Sequence, residues 1–178
     1  MKLSKISINE LIANGHVEVV KWWIQSEIKL NWSEVSIDEM SANGHVTVLE
    51  WWKRSESELT WSEKAMDDAS VNNHISVLEW WRTSGLELKW TEYAMIGASR
   101  NGHIAILQWW KKSGLELKYF KVNELIANVH VEVVKWWKQS RIKLNWSEVS
   151  IDEVSANGHV AVLEWWKTSE SELTWSVK

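Results

Sequence analysis

Ala42-Asn43-Gly44-His45-Val46-Thr47-Val48-Leu49-Glu50-Trp51-Trp52 is the phrase on which the fold turns. Asn-Gly ends a helix at low cost, because glycine and asparagine accept the left-handed backbone that a helix C-terminus commonly needs. An apolar-periodic run then begins right after His45, so the phrase reads as the close of one helix, a tight turn and the start of another.

The phrase recurs along the whole chain. Trp pairs stand at Trp22–Trp23, Trp51–Trp52, Trp80–Trp81, Trp109–Trp110, Trp136–Trp137 and Trp165–Trp166. A histidine precedes each pair at the same distance: His16, His45, His74, His103, His130 and His159. The step between neighbours is about 29 residues, with one step of about 27 from His103 to His130. Self-similarity at this period is the signature of a stacked repeat array. The expected units are residues 3–31, 32–60, 61–89, 90–118, 119–145 and 146–174, forming a single array over 1–178. A third aromatic marks each one: Trp32, Trp61, Trp90, Tyr119, Trp146 and Trp175.

A longer duplication overlies the short one. Asn9 to Lys64 reads almost the same as Asn123 to Lys178, so repeats five and six are near-copies of repeats one and two. A recent duplication or a constructed sequence would both produce this. The short step falls at Tyr119-Phe120-Lys121-Val122 and reads as a deletion in the first helix of repeat five.

Repeat three, Trp61 to Lys89, shows the design of one unit. Ser62 and Glu63 read as a helix start, a hydroxyl cap followed by a carboxylate at the positive end of the dipole. Ala65, Met66 and Ala69 then fall at helical spacing, and the helix stops near Asn72–Asn73. A second helix is expected over residues 74–83, with one apolar stripe of Ile75, Leu78 and Trp81 and another of Val77 and Trp80. A helix that is apolar on two sides suits an array in which every unit has two neighbours. Ser84–Gly85 ends it, and Leu86 to Trp90 alternates as a short extended connector. Val129 replaces the turn glycine in repeat five, where a β-branched residue at positive φ would be strained.

Composition narrows the function classes. The chain has 178 residues with 45% hydrophobic and 25% charged residues, a foldable balance. Its net charge of -4 argues against a nucleic-acid backbone as partner, since phosphate binding needs clustered Lys and Arg. There is no cysteine, which excludes disulfides and thiolate metal sites. No apolar run reaches the roughly 20 residues that span a bilayer, and the N-terminus lacks a signal-peptide core. The expectation is an intracellular, cytoplasmic protein without membrane contact. The 17 Trp beside one Phe and two Tyr follow from the repeated Trp pair.

The stretches Ala13 to Trp23, Ala42 to Trp52 and Arg100 to Trp110 resemble the ankyrin-repeat phrase in which Asn-Gly-His precedes an aliphatic helix. Ser84–Leu88 and Ser113–Leu117, Ser-Gly-Leu-Glu-Leu, resemble the family's Ala-Gly-Ala-Asp-Val tail. The family's Thr-Pro-Leu-His opening is missing, and Glu63-Lys64-Ala65-Met66 or Glu92-Tyr93-Ala94-Met95 stands in its place. The ankyrin unit is about four residues longer, and the missing residues align with its β-hairpin finger. The resemblance implies an all-α helix-turn-helix solenoid of six repeats, with fingers shortened or absent, that binds a protein through its concave first-helix face.

Catalytic and metal chemistry find little footing. One histidine per repeat cannot bring several imidazoles within about 2 Å of one zinc ion. The resemblance implies that each histidine instead ties its turn to a neighbouring backbone. The second Trp of each pair, Trp23, Trp52, Trp81, Trp110, Trp137 and Trp166, is expected in the core. The first Trp of each pair and the connector Trp are left open between core and partial exposure, and carbohydrate stacking on an exposed Trp is the weaker reading. Adjacent acids such as Asp67–Asp68 point about 100° apart on a helix and read as a solvated face. No catalytic, cofactor or metal site is expected, and no cofactor.

Positions that vary between repeats are free to recognise a partner. Asp67, Asp68 and Val71 correspond to Ile96, Gly97 and Arg100 in the next repeat. The expected recognition patch is Asp67, Asp68, Val71, Tyr93, Ile96 and Arg100. The favoured function is a non-catalytic protein-interaction scaffold. The alternative is a structural or self-assembling array, natural or engineered, whose uncapped terminal repeats associate end to end.

Overall fold

The computed structural model describes residues 11, 16–26, 36–54, 60–117, 130–144 and 151–169, with the backbone alone described at Val17, Trp23, Ile24, Ile151 and Glu153. The join at Tyr119–Val122 and the turn residue Val129 lie outside the described residues. Among the described residues all regular structure is helical: α1 (Val17–Gln25), α2 (Ile37–Ala42), α3 (Val46–Arg54), α4 (Lys64–Val71), α5 (Ile75–Ser84), α6 (Tyr93–Arg100), α7 (Ile104–Lys112), α8 (Val131–Gln139), α9 (Ile151–Ala156) and α10 (Val160–Thr168). The chain divides into two compact lobes, Met1–Ala94 and Met95–Lys178.

In the first lobe, α2 pairs with α3 and α4 with α5 through the Asn-Gly-His or Asn-Asn-His turn. Asn73 and Gly44 hold φ of 64° and 80°, the left-handed conformation expected of these positions. The His74 amide donates to the Ala69 carbonyl at 2.8 Å and that of His45 to Met40 at 3.1 Å, each closing the first helix. The His74 carbonyl then accepts from the amides of Val77 and Leu78, which starts the second helix. One residue therefore ends one helix and begins the next, which is why the turn is so short. The second lobe repeats the device: His103 donates to Ala98 at 2.8 Å and His159 to Val154 at 3.2 Å.

The core of the first lobe comprises Ile37, Met40, Val48, Leu49 and Trp52 with Ala65, Met66, Ala69, Val77, Leu78, Trp80 and Trp81. Ala65, Ala69 and Ser70, all small, are fully buried on α4. Ile75 is exposed, so the stripe of α5 runs through Val77, Leu78 and Trp81 instead of starting at Ile75. Helix α5 extends to Ser84, one residue beyond the expected end, and Gly85 closes it at φ 75°. Ser62 acts in the start of α4, its Oγ accepting from the Lys64 amide at 3.2 Å. Residues 85–90, Gly85 to Trp90, carry no strand.

Gly44 is needed for two reasons. Its backbone is left-handed, and a Cβ there would sit 2.7 Å from Nδ1 of His74. Gly158 has a similar φ of 72° but no atom within 4 Å of such a Cβ. Gly44→Ala should therefore cost more than Gly158→Ala, which bears only the left-handed penalty of about 1 kcal/mol. Urea unfolding of the two variants checks this. Equal losses would show that the ring contact on Gly44 adds nothing.

Candidate interaction surface

Within each lobe, polar contacts are laid over the apolar packing between neighbouring repeats. In the first lobe, Trp81 Nε1 donates to Ser41 Oγ at 3.1 Å inside the core. Trp80 Nε1 donates to Glu50 Oε1 at 2.7 Å. Asn72 Nδ2 donates to the Ala42 carbonyl at 2.9 Å, and the His74 imidazole also hydrogen-bonds Ala42 while its ring covers Gly44. Lys53 Nζ donates to the Ser84 carbonyl. In the second lobe, Trp137 Nε1 donates to the buried Ser99 Oγ at 3.0 Å, and a Cβ on Gly102 would meet the His130 ring at 2.8 Å. An indole brings a large apolar face and one donor, and the donor must be satisfied once buried. Serine on a first helix supplies the acceptor without bulk.

The residues expected to be structural sit as follows. Trp52, Trp81, Trp110, Trp137 and Trp166 are buried. The side chain of Trp23 lies outside the described set. His45, His74, His103 and His159 are half-buried, whereas His16 and His130 are exposed. Burial holds the His74 pKa below the usual imidazole value; the hydrogen bond to Ala42 opposes this and nearby His45 adds to it. The first Trp varies more than a single rule allows: Trp80 is 5% exposed and Trp22 is 59% exposed. Within a pair the rings meet edge to face, as in Trp80–Trp81 at 5.0 Å and 80°.

The expected recognition residues separate. Tyr93 and Arg100 are exposed, at the two ends of α6, and Asp68 and Val71 are half-buried on α4. Asp67 and Ile96 are buried at 4% each, so neither belongs to a recognition surface. Asp67 also departs from the expected solvated face. Its Oδ1 accepts from the Thr91 amide at 2.9 Å and its Oδ2 from the Thr91 hydroxyl at 2.5 Å. Asp38 does the same for Ser62, at 2.9 and 2.6 Å. Each carboxylate clasps the chain where the following repeat begins.

A signal for this clasp lies in the sequence at long range. Asp38 and Asp67 are followed at the same spacing by Ser62 and Thr91, as Asn9, Asn123 and Asp152 are by Ser33, Ser147 and Ser176. At Ile96 the pattern breaks on both sides, because the residue at that spacing is Phe120. Helical periodicity within one repeat cannot reveal such a pair, since its members belong to different repeats.

Burial pushes the Asp67 carboxyl from 3.8 up to about 6. The Thr91 hydrogen bonds partly oppose this, and the charges of Asp68 and Glu63 reinforce it. Asp68 is also raised by burial, with Lys64 acting against it. A second feature of the surface is a groove of about 570 Å³ in the second lobe, lined by His130, Val131, Glu132, Val160 and neighbouring residues. Its walls are mainly aliphatic, and among the described residues no three His, Asp or Glu side chains gather to hold a metal ion. Among the described residues no helix is long and apolar enough to cross a membrane. No family model, curated protein or solved structure matches the chain.

The Asp67 shift sets a pH dependence. A carboxyl raised in the folded state stabilises fully below its unfolded pKa and loses that contribution as pH rises through the folded value. Wild-type stability should therefore fall relative to Asp67→Asn between pH 4 and about 6, since only the wild type must ionise a buried group there. His74 acts in the opposite sense in both proteins, losing its contribution as pH falls below its ordinary value, and cancels in the difference. Urea titrations of both proteins across this window give the comparison. A difference that is flat, or that grows in favour of the wild type, contradicts the assignment.

Proposed function

We propose that the chain is a non-catalytic protein-interaction scaffold. In this reading it is an ankyrin-like stack of helix pairs that contacts a protein partner through exposed positions of its first helices. The observation that carries the reading is a division of labour between positions. The repeated residues are consumed by the fold: the turn His and Gly by the helix joint, the second Trp by the core, and the first-helix Ser by the indole. Of the residues that change, Asp67 and Ile96 are buried, while those at two other positions lie where solvent reaches them. Lys64 and Tyr93 hold equivalent places in successive repeats, both exposed, and differ in charge and shape. Val71 and Arg100 are a second such pair, half-buried and exposed.

Stacking of carbohydrate on tryptophan is the weaker reading. The indole donors of Trp61, Trp80, Trp81 and Trp137 are already committed within the fold. A scaffold built this way gains affinity from a few exposed aromatic and arginine side chains, the types that dominate interface energetics. Tyr93 and Arg100 are the described candidates of that kind on α6.

Affinity capture with the wild-type chain and with Tyr93→Ala/Arg100→Ala tests the reading. Both side chains are exposed, so helix content should be unchanged. A protein retained by the wild type should bind the double variant at least about fivefold more weakly, the loss expected from removing an anchor worth over about 1 kcal/mol. Undiminished retention of every captured protein would remove these residues, and α6 with them, from the binding surface.

A further inference from the structure

The joint between repeats two and three can be compared with the residues that hold the same places in repeats six and one. On the repeat-two side it uses Ser41, Gly44, Glu50 and Lys53; on the repeat-three side it uses His74, Trp80 and Ser84. The near-duplication places identical residues at Ser155, Gly158, Glu164 and Lys167 in repeat six. The short period places identical residues at His16, Trp22 and Ser26 in repeat one. Asn14 and Trp23 also keep the identities of Asn72 and Trp81, the remaining donors of the joint.

The two copies of this set differ in environment. Ser41 is fully buried and Ser155 is exposed. Gly44 carries the His74 ring, whereas nothing lies within 4 Å of the corresponding point on Gly158. Trp80 is 5% exposed with its N–H on Glu50, and Trp22 is 59% exposed. Ser84 is buried and Ser26 exposed. Val160, at the place of half-buried Val46, is 60% exposed. So repeat six presents the residues of one half of the repeat-two to repeat-three joint and repeat one those of the other, and those that are described are exposed.

We infer that two copies of this chain associate head to tail, repeat six of one copy receiving repeat one of the next in the register of the repeat-two to repeat-three joint. The occupant is a second copy because the two exposed sets complement each other residue for residue. Glu164 meets the Trp22 N–H as Glu50 meets that of Trp80. Lys167 meets the Ser26 carbonyl as Lys53 meets that of Ser84, and Gly158 takes the His16 ring as Gly44 takes that of His74. The surfaces in contact are different patches, so the interface is heterologous and grows beyond two copies unless a ring closes. It uses none of the exposed α6 side chains of the scaffold reading.

Sedimentation velocity of the full chain over a wide concentration range, with two single variants, tests this. The wild type should grow from the 20.9 kDa monomer through a series of larger species as concentration rises. Trp22→Glu destroys one face and Ser155→Arg the other; both positions are exposed, so each variant should keep its helix content and stay monomeric. Mixed in equal amounts, they should form a dimer and nothing larger, because each supplies the intact face that the other lacks. Glu164→Lys, mixed with Trp22→Glu in place of Ser155→Arg, gives no dimer if it is monomeric through loss of folding and a dimer if it is monomeric through loss of its face. A monomeric wild type at all concentrations overturns the inference. So does association that survives either single variant, or a mixture of folded variants that stays monomeric.

Discussion

The fold depends on a tryptophan wedged between repeats and pinned by its one polar atom. Trp81 is fully buried, and its N–H reaches Ser41 on the first helix of the preceding repeat; Trp137 reaches Ser99 in the same way. Burying an indole removes on the order of 200 Å² of surface, a gross gain of about 5 kcal/mol at 25 cal/mol/Å². The hydrogen bond adds only about 1 kcal/mol net, yet a buried donor without a partner costs about 1–3 kcal/mol. The apolar face therefore supplies the adhesion, and the hydroxyl sets the register. A repeat shifted along its neighbour would keep much of the burial and lose the acceptor.

Other contacts tighten the same joint from its edges. The histidine closes one helix with its amide, opens the next with its carbonyl and, at His74, covers the glycine of the preceding turn. Asp38 and Asp67 clasp the start of the following repeat at the opposite end of the first helix. Repeat three is thereby held to repeat two at its turn, its core and its entry. Because the histidine recurs in every repeat and the glycine and the Trp-accepting serine in most, much of the joint is encoded by position along the period. That same recurrence makes an exposed repeat edge complementary to another exposed edge.

Much of this was legible in the residues themselves. The helix pairs, the left-handed turn residue and the burial of the second Trp follow from the spacing of Asn-Gly, His and Trp-Trp, since each is a local property. Reading Asp67 as a solvated acid and Ile96 as a recognition residue failed for a common reason. Both occupy the same place in the period, and their burial depends on packing beyond their own helix; for Asp67 the partner is Thr91, at the start of the next repeat. The exposure of Ile75 was hidden too, because periodicity marks a face of a helix but not where a neighbour stops covering it. The contrast between Trp22 and Trp80 was hidden as well: the same residue at the same place in the period is exposed in one repeat and buried in the other.

The most direct measurement is a double-mutant cycle on Trp81 and Ser41, using Trp81→Phe, Ser41→Ala and the pair, with stability taken from urea unfolding. Each single change leaves a hydrogen-bonding group or a space at the joint, whereas the double change removes donor and acceptor together. A coupling of about 1–2 kcal/mol between the two sites is expected, the range for residues sharing one buried hydrogen bond. Additive losses, with no coupling beyond about 0.3 kcal/mol, would contradict the pinned-wedge account and leave the repeats held by burial alone.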